Sequence, residues 1–95
     1  MTTLVHQQTP KARKNHWCDA CMFVDAYGSL RQIIDEHDFT FTERRALVRA
    51  WENNRQIQKG DVYIRQFCVD GDDAYTFKAI PEIHEICIKY DFYYE

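Results

Sequence analysis

Two pairs of cysteine and histidine residues lie near opposite ends of this 95-residue sequence. Cys18 and Cys21 form a Cys-x-x-Cys pair, and His84 and Cys87 lie three positions apart in a segment with helical periodicity. A Cys-x-x-Cys pair places two thiols on one tight turn, and positions three apart share one face of a helix. Four such ligands with no open position describe a structural zinc site, which does not activate water. We therefore predict one structural Zn²⁺ ion, bound by all four residues, that clamps nearly the whole fold.

The size of the chain makes such a clamp valuable. A single domain of this length buries a modest core and is marginally stable without a metal, a disulfide or a partner. Apolar residues make up 45% of the sequence, which is the composition of a folded domain. Residues 1–14 lack the apolar stretch of a signal peptide, and no apolar run is long enough to cross a bilayer. We expect a cytoplasmic location, where reduced thiols bind metal rather than form disulfides.

Other interpretations of these residues remain open. His84 and Cys87 are ordinary core residues in one alternative. The Cys-x-x-Cys pair is redox-active in another, although no thioredoxin-like pattern surrounds it. Cys68 lies in a predicted strand, where we expect a buried thiol. If His84 is not a ligand, Cys68 is the best substitute and His16 is a weaker one.

A pair of short helices is predicted in the middle of the chain. Ser29 caps the first helix. At the start of the second helix, Thr40 has capping-box spacing to Glu43, and Thr42 is the alternative cap. The second helix is predicted over residues 43–58 and ends at Gly60. Two helices separated by so short a turn form a helix-turn-helix-like unit.

A β-hairpin and a last helix follow this unit. The strands are predicted over residues 62–69 and 74–79, joined by a turn with the sequence Asp-Gly-Asp-Asp. Pro81 suits the first turn of the last helix, predicted over residues 82–90, which carries the second ligand pair. The predicted class is α+β: a zinc knuckle, a helix-turn-helix pair, a hairpin and a C-terminal helix that closes one zinc site.

The predicted domain occupies residues 16–92 and follows a flexible basic arm over residues 1–15, which has no periodicity. Catalytic interpretations of the chain fail. A zinc deaminase needs His-x-Glu followed by Pro-Cys-x-x-Cys, which is not the order here. An HNH-type nuclease needs a histidine in the hairpin, and residues 62–79 contain none. We therefore expect a protein that is not an enzyme.

The segment Trp51-Glu-Asn-Asn54-Arg55-Gln resembles the Trp-Phe-x-Asn-Arg-Arg signature of the homeodomain recognition helix, and the basic arm resembles the arm that homeodomains place in the minor groove. The resemblance implies that Asn54 reads an adenine, that Ala50 and Asn53 face base edges, and that Arg55 continues the signature. The apolar stripe of the predicted helix is rotated from that of a homeodomain, however, and places Asn54 at the edge of the core. This phase favours a scaffold helix over a DNA-reading one.

Most of the chain after residue 15 resembles the small zinc-finger and homeodomain-like early proteins that lambdoid phages encode between their integration and recombination genes. The resemblance rests on length, on the two ligand pairs and on the segment from Trp51 to Arg55. It implies a phage accessory protein in the host cytoplasm that influences lysis, lysogeny or host replication.

We expect this protein to be a monomer that acts by binding a host or phage protein and does not associate with membranes. Phe92, Tyr93 and Tyr94 close the chain, where we expect them to be exposed for a partner. The alternative is a small DNA-binding regulator, which the formal net charge of −3 disfavours. Six side chains are expected to face the partner or DNA: Arg44, Arg45, Arg49, Asn53, Asn54 and Arg55.

Overall fold

Four helices and two antiparallel sheets form the computed structural model, which describes residues 2–93 and the side chains of residues 6–69 and 71–93. The helices are α1 (Asp19–Asp25), α2 (Leu30–Glu36), α3 (Phe41–Glu52) and α4 (Pro81–Lys89). The strands are β1 (Thr2–Gln8), β2 (His16–Trp17), β3 (Gln56–Ile57), β4 (Ile64–Asp70) and β5 (Asp73–Ala79). This arrangement confirms the predicted α+β class. None of the helices in the described range has the length and apolar character needed to cross a membrane.

The hairpin of β4 and β5 is the centre of a three-stranded sheet with the order β1-β4-β5. Its turn contains Gly71, whose φ of 63° lies in the left-handed region that glycine adopts at no steric cost. The hairpin and its turn lie where the sequence predicts them.

The first strand is a correction to the predicted flexible arm. Thr2–Gln8 pairs antiparallel with β4, and Lys11 forms a bridge to Val62. Ala12 is buried in the core, and its amide donates a hydrogen bond to the carbonyl of Asp61. The reason is that β4 leaves one row of backbone groups unpaired by β5, and β1 satisfies them. The paired residues of β1 and β4 are more than fifty positions apart in the sequence, so no local sequence pattern predicts this pairing.

The helical pair begins as predicted. The Ser29 hydroxyl accepts a hydrogen bond from the amide of Gln32 at the start of α2. At the start of α3, Thr40 and Glu43 form a reciprocal capping box. The Glu43 carboxylate also accepts a hydrogen bond of 2.7 Å from the Tyr90 hydroxyl, which ties α3 to the end of α4.

The end of α3 differs from the prediction, because the helix stops at Glu52 rather than continuing to residue 58. Asn54 and Arg55 both adopt a φ of 59°, which no α-helix contains. The chain then enters β3, which pairs with β2 just before Cys18. The backbone amide of Cys18 also donates a hydrogen bond to the carbonyl of Arg55, so the chain after α3 pairs with the segment that precedes α1.

The core lies where α1 packs against α4 and β5. It includes Val24 of α1, Ile33 of α2, Leu47 of α3 and Ile83 of α4. Phe92 is also part of it and is only 1% exposed, so the prediction of an exposed aromatic was wrong at this position. After α4 the chain turns back on itself and returns Phe92 to the core.

Candidate metal centre

Cys18 is the N-cap of α1, a helix that the sequence did not predict. Its Sγ atom accepts a hydrogen bond of 3.3 Å from the amide of Cys21, three residues on. It accepts a second one, also of 3.3 Å, from the amide of Ile80 before α4. The two predicted ligand segments therefore meet at this sulfur atom, although 62 residues separate Ile80 from Cys18.

Cys87 brings a third thiol to the same place. It lies on α4, and its Sγ atom donates a hydrogen bond of 3.6 Å to the carbonyl of Ala20, which lies between the two cysteines of α1. Cys18, Cys21 and Cys87 are all 0% exposed. The structure thus brings together three of the four predicted ligands from opposite ends of the chain.

The thiols of this cluster, defined as Cys18, Cys21 and Cys87, influence one another electrostatically. A hydrogen bond from the Cys21 side chain, supported by the backbone amides, holds the pKa of Cys18 below its ordinary value despite burial. The same side-chain hydrogen bond raises the pKa of Cys21, and burial adds to the increase. Burial raises the pKa of Cys87 to about 12, with an added contribution from Cys18. These shifts favour the thiolate form at Cys18 over the thiolate forms at Cys21 and Cys87.

His84 lies on α4 one turn before Cys87 and turns toward the end of the chain. Its Nδ1 atom lies 2.6 Å from the Tyr93 hydroxyl, and its ring packs against Phe77. Burial lowers the pKa of His84 and so favours the neutral imidazole, which is the form that binds metals. One ring nitrogen of His84 is therefore hydrogen-bonded to a tyrosine.

Tyr93 is a site residue that the sequence analysis placed wrongly on the surface. It is partly buried, and its hydroxyl, which lies at His84 Nδ1, also lowers the pKa of Cys87. Burial is the main cause that raises the pKa of Tyr93, and the neighbouring Cys87 side chain adds to the increase. The chain reverses after α4 as in a Schellman motif. Asp91 has a φ of 60°, and the Phe92 N–H group donates a hydrogen bond to the Cys87 carbonyl. Tyr94 lies outside the described residues.

The described side chains do not form a metal-binding arrangement in their present rotamers. Among the side chains that the structure describes, no three or more His, Cys, Asp or Glu residues have an arrangement that could hold a metal ion. The substitute ligands are no better placed. Cys68 is buried in β4, as expected of a core thiol. His16 has its Nδ1 atom 3.4 Å from the Lys78 ammonium group, a neighbour that opposes a cation.

The side chains expected to face a partner or DNA fall into two groups. Arg44, Arg45 and Arg49 are exposed on α3, as predicted. The other three lie beyond its last residue, so they do not continue a recognition helix. Asn53 is the C-cap, and Asn54 is exposed rather than at the edge of the core.

Arg55 forms an ion pair of 2.9 Å with Asp25 at the end of α1, so it connects the turn after α3 to α1. Its guanidinium group thus has a structural partner within the chain.

No protein-family model, curated protein or solved structure matches this chain. Its function must therefore be argued from its own residues.

Proposed function

We propose that this chain is a non-enzymatic interaction domain whose fold is closed by one structural zinc ion. The observation that carries the proposal is the convergence of three fully buried thiols from residues 18–21 and 87. Buried thiols also occur as small hydrophobic groups in ordinary cores. The hydrogen bonds to the Cys18 sulfur favour a different role, because amide donors stabilise a thiolate.

Charge is the physical reason that a cation fits this cluster. A buried thiolate without a neutralising partner is costly, and the raised pKa values of Cys21 and Cys87 express that cost for two further thiolates. A bound Zn²⁺ ion would supply two positive charges and favour deprotonation of thiols that coordinate it. Coordination would require the cysteines and His84 to change side-chain rotamer, because the described side chains do not converge on one point.

His84 is the proposed fourth ligand. A histidine that binds zinc commonly donates its other ring N–H group to a neighbouring acceptor, which fixes the tautomer and the orientation of the ring. The Tyr93 hydroxyl at Nδ1 can serve as that acceptor and leaves Nε2 free for the metal. Because every ligand would then come from the protein, no open coordination position would remain for catalysis.

The proposed interaction with a partner protein is based on the outer surface of α3. Three arginine side chains of α3 are exposed, while Asn54 and Arg55 leave the helix before they could read a base. This geometry favours a protein partner over sequence-specific DNA. In keeping with the resemblance to small early phage proteins, we propose a monomer that acts on a host or phage protein in the host cytoplasm.

Native mass spectrometry tests the metal directly. Protein purified under reducing conditions with zinc present should carry one zinc ion per chain, and a chelator should remove the ion and broaden the charge-state distribution. Acid should release the metal as well, since the ligands must be deprotonated to bind it. A compact, zinc-free protein with four free thiols would contradict the proposal.

A further inference from the structure

A groove of about 930 Å³ runs along α3, on a part of the surface that the metal centre does not use. Buried apolar side chains, including Ala50 and Ile57, line it. Three large apolar residues along the groove are exposed to water: Phe41 by 73%, Val48 by 41% and Val62 by 53%. We call this feature the α3 groove. Its volume is within the range of about 300–1,000 Å³ that is common for binding clefts.

The charges of the α3 groove are distributed unevenly. The α3 side carries Arg44, Arg45 and Arg49, and none of them pairs with a carboxylate of another described side chain. The guanidinium group of Arg45 stacks over the exposed Phe41 ring, with its Cζ atom 5.7 Å from the ring centroid. An apolar strip bordered by unpaired guanidinium groups is complementary to apolar side chains bordered by carboxylates.

The opposite side of the groove adds a second electrostatic feature. It contains the first turn of α4, where Ile80 is the N-cap and supplies no side-chain hydrogen bond. Free amide groups and the helix dipole make this end of a helix favourable for anions. Asp61 and Glu82 also line the groove, so it offers discrete positive positions rather than a continuous basic surface.

We propose that the α3 groove binds an amphipathic helix of a partner protein, in which aspartate or glutamate residues border an apolar stripe. This inference rests on the proposed function, and it specifies the chemistry of the partner. A nucleic acid fits less well, because its continuous phosphate charge would meet Glu52, Asp61 and Glu82 and would leave the apolar strip unused.

Two synthetic peptides test the proposal. Each is a helix of about 16 residues, long enough to span the 12-residue α3. Both have the same leucine stripe, bordered by glutamate in one and by lysine in the other. Fluorescence anisotropy with the zinc-loaded protein should show micromolar binding of the acidic peptide and at least about tenfold weaker binding of the basic one. Equal affinities, or no binding of the acidic peptide, would overturn the proposal.

Protein variants locate the binding. The double variant Arg45→Glu/Arg49→Glu, and separately Val48→Asp, should each weaken acidic-peptide binding at least about tenfold. Arg31→Glu, at an exposed position of α2 outside the groove, is the matched control and should change affinity by less than about twofold. Circular dichroism of each variant establishes that it is folded. An undiminished affinity of the folded double variant would overturn the proposal.

Two additional measurements separate the possible failures. Displacement of the acidic peptide by a random-sequence DNA duplex would assign the groove to nucleic acid and overturn a peptide role. Native mass spectrometry of the same samples reports the metal. If zinc-loaded protein does not bind the acidic peptide, the groove proposal alone is refuted. If zinc-free protein binds the peptide, the groove proposal is supported and the structural zinc is refuted.

Discussion

The thiol cluster and the outer face of α3 both contain residues that stand out in the sequence. They differ in whether those residues find their contacts inside the chain. The three thiols of the cluster are fully buried and come together from opposite ends of the chain: Cys18, Cys21 and Cys87. Arg44 and Arg45 lie in water without a carboxylate partner among the described side chains. Paired metal-ligand motifs therefore predict a contact inside the molecule, whereas a cluster of like charges predicts only a surface whose partner lies outside it.

The largest expected effect comes from removing a thiol at either end of the chain. Cys18→Ser and Cys87→Ser should each abolish zinc binding and unfold the domain at 25 °C, because the free energy of metal binding contributes to folding. Cys68→Ser is the matched control at a buried thiol outside the cluster, and should cost about 1–2 kcal/mol of stability. Urea unfolding and zinc stoichiometry measure both effects.

The opposite ranking would break the comparison between the two regions. If Cys68→Ser removes zinc while Cys87→Ser does not, the ligand set is wrong in at least one member. If all three variants bind no zinc and lose only about 1–2 kcal/mol each, the cluster is ordinary core packing.

A smaller effect is expected from Tyr93→Phe, which deletes the hydroxyl beside His84 and Cys87 and keeps the ring. If Tyr93 orients His84 as a zinc ligand, the variant should remain folded but bind zinc about 10–100-fold more weakly. Competition with a chelator of known affinity measures the change. Tyr75→Phe, at an exposed tyrosine of β5, is the control and should leave zinc affinity unaltered.

An unchanged zinc affinity of Tyr93→Phe would show that the hydrogen bond to His84 has no part in the metal centre. In that case His84→Ala distinguishes the remaining alternatives, since it should behave like Cys87→Ser only if His84 is a ligand.

The smallest expected effect concerns the turn after α3. Asn54 has a φ of 59°, where glycine is less strained than any residue with a Cβ atom. Asn54→Gly should therefore leave the free energy of unfolding within about 1 kcal/mol of the parent value. Binding to random and AT-rich DNA duplexes should be equally weak for both proteins. A loss of sequence preference in the variant would restore the DNA-reading interpretation.

Some elements could be predicted because their causes are local. The caps at Ser29 and Thr40, the glycine turn of the hairpin and the proline that begins α4 all act within a few residues. Hydrogen bonds and steric preferences at that range are encoded in short patterns. The two cysteine segments also meet, as expected from spacings typical of metal ligands, whereas the metal itself stays a prediction.

The sequence by itself thus determined the α+β class, the hairpin, the helix starts and the association of distant thiols. Only the tertiary structure decided that Thr2–Gln8 joins the sheet, that α3 ends at Glu52 and that Tyr93 lies beside His84. Each of these outcomes depends on backbone groups that find partners far along the chain or on a reversal after α4. Such contacts are chosen by the requirement to satisfy buried polar groups and fill one core, which acts on the whole chain at once.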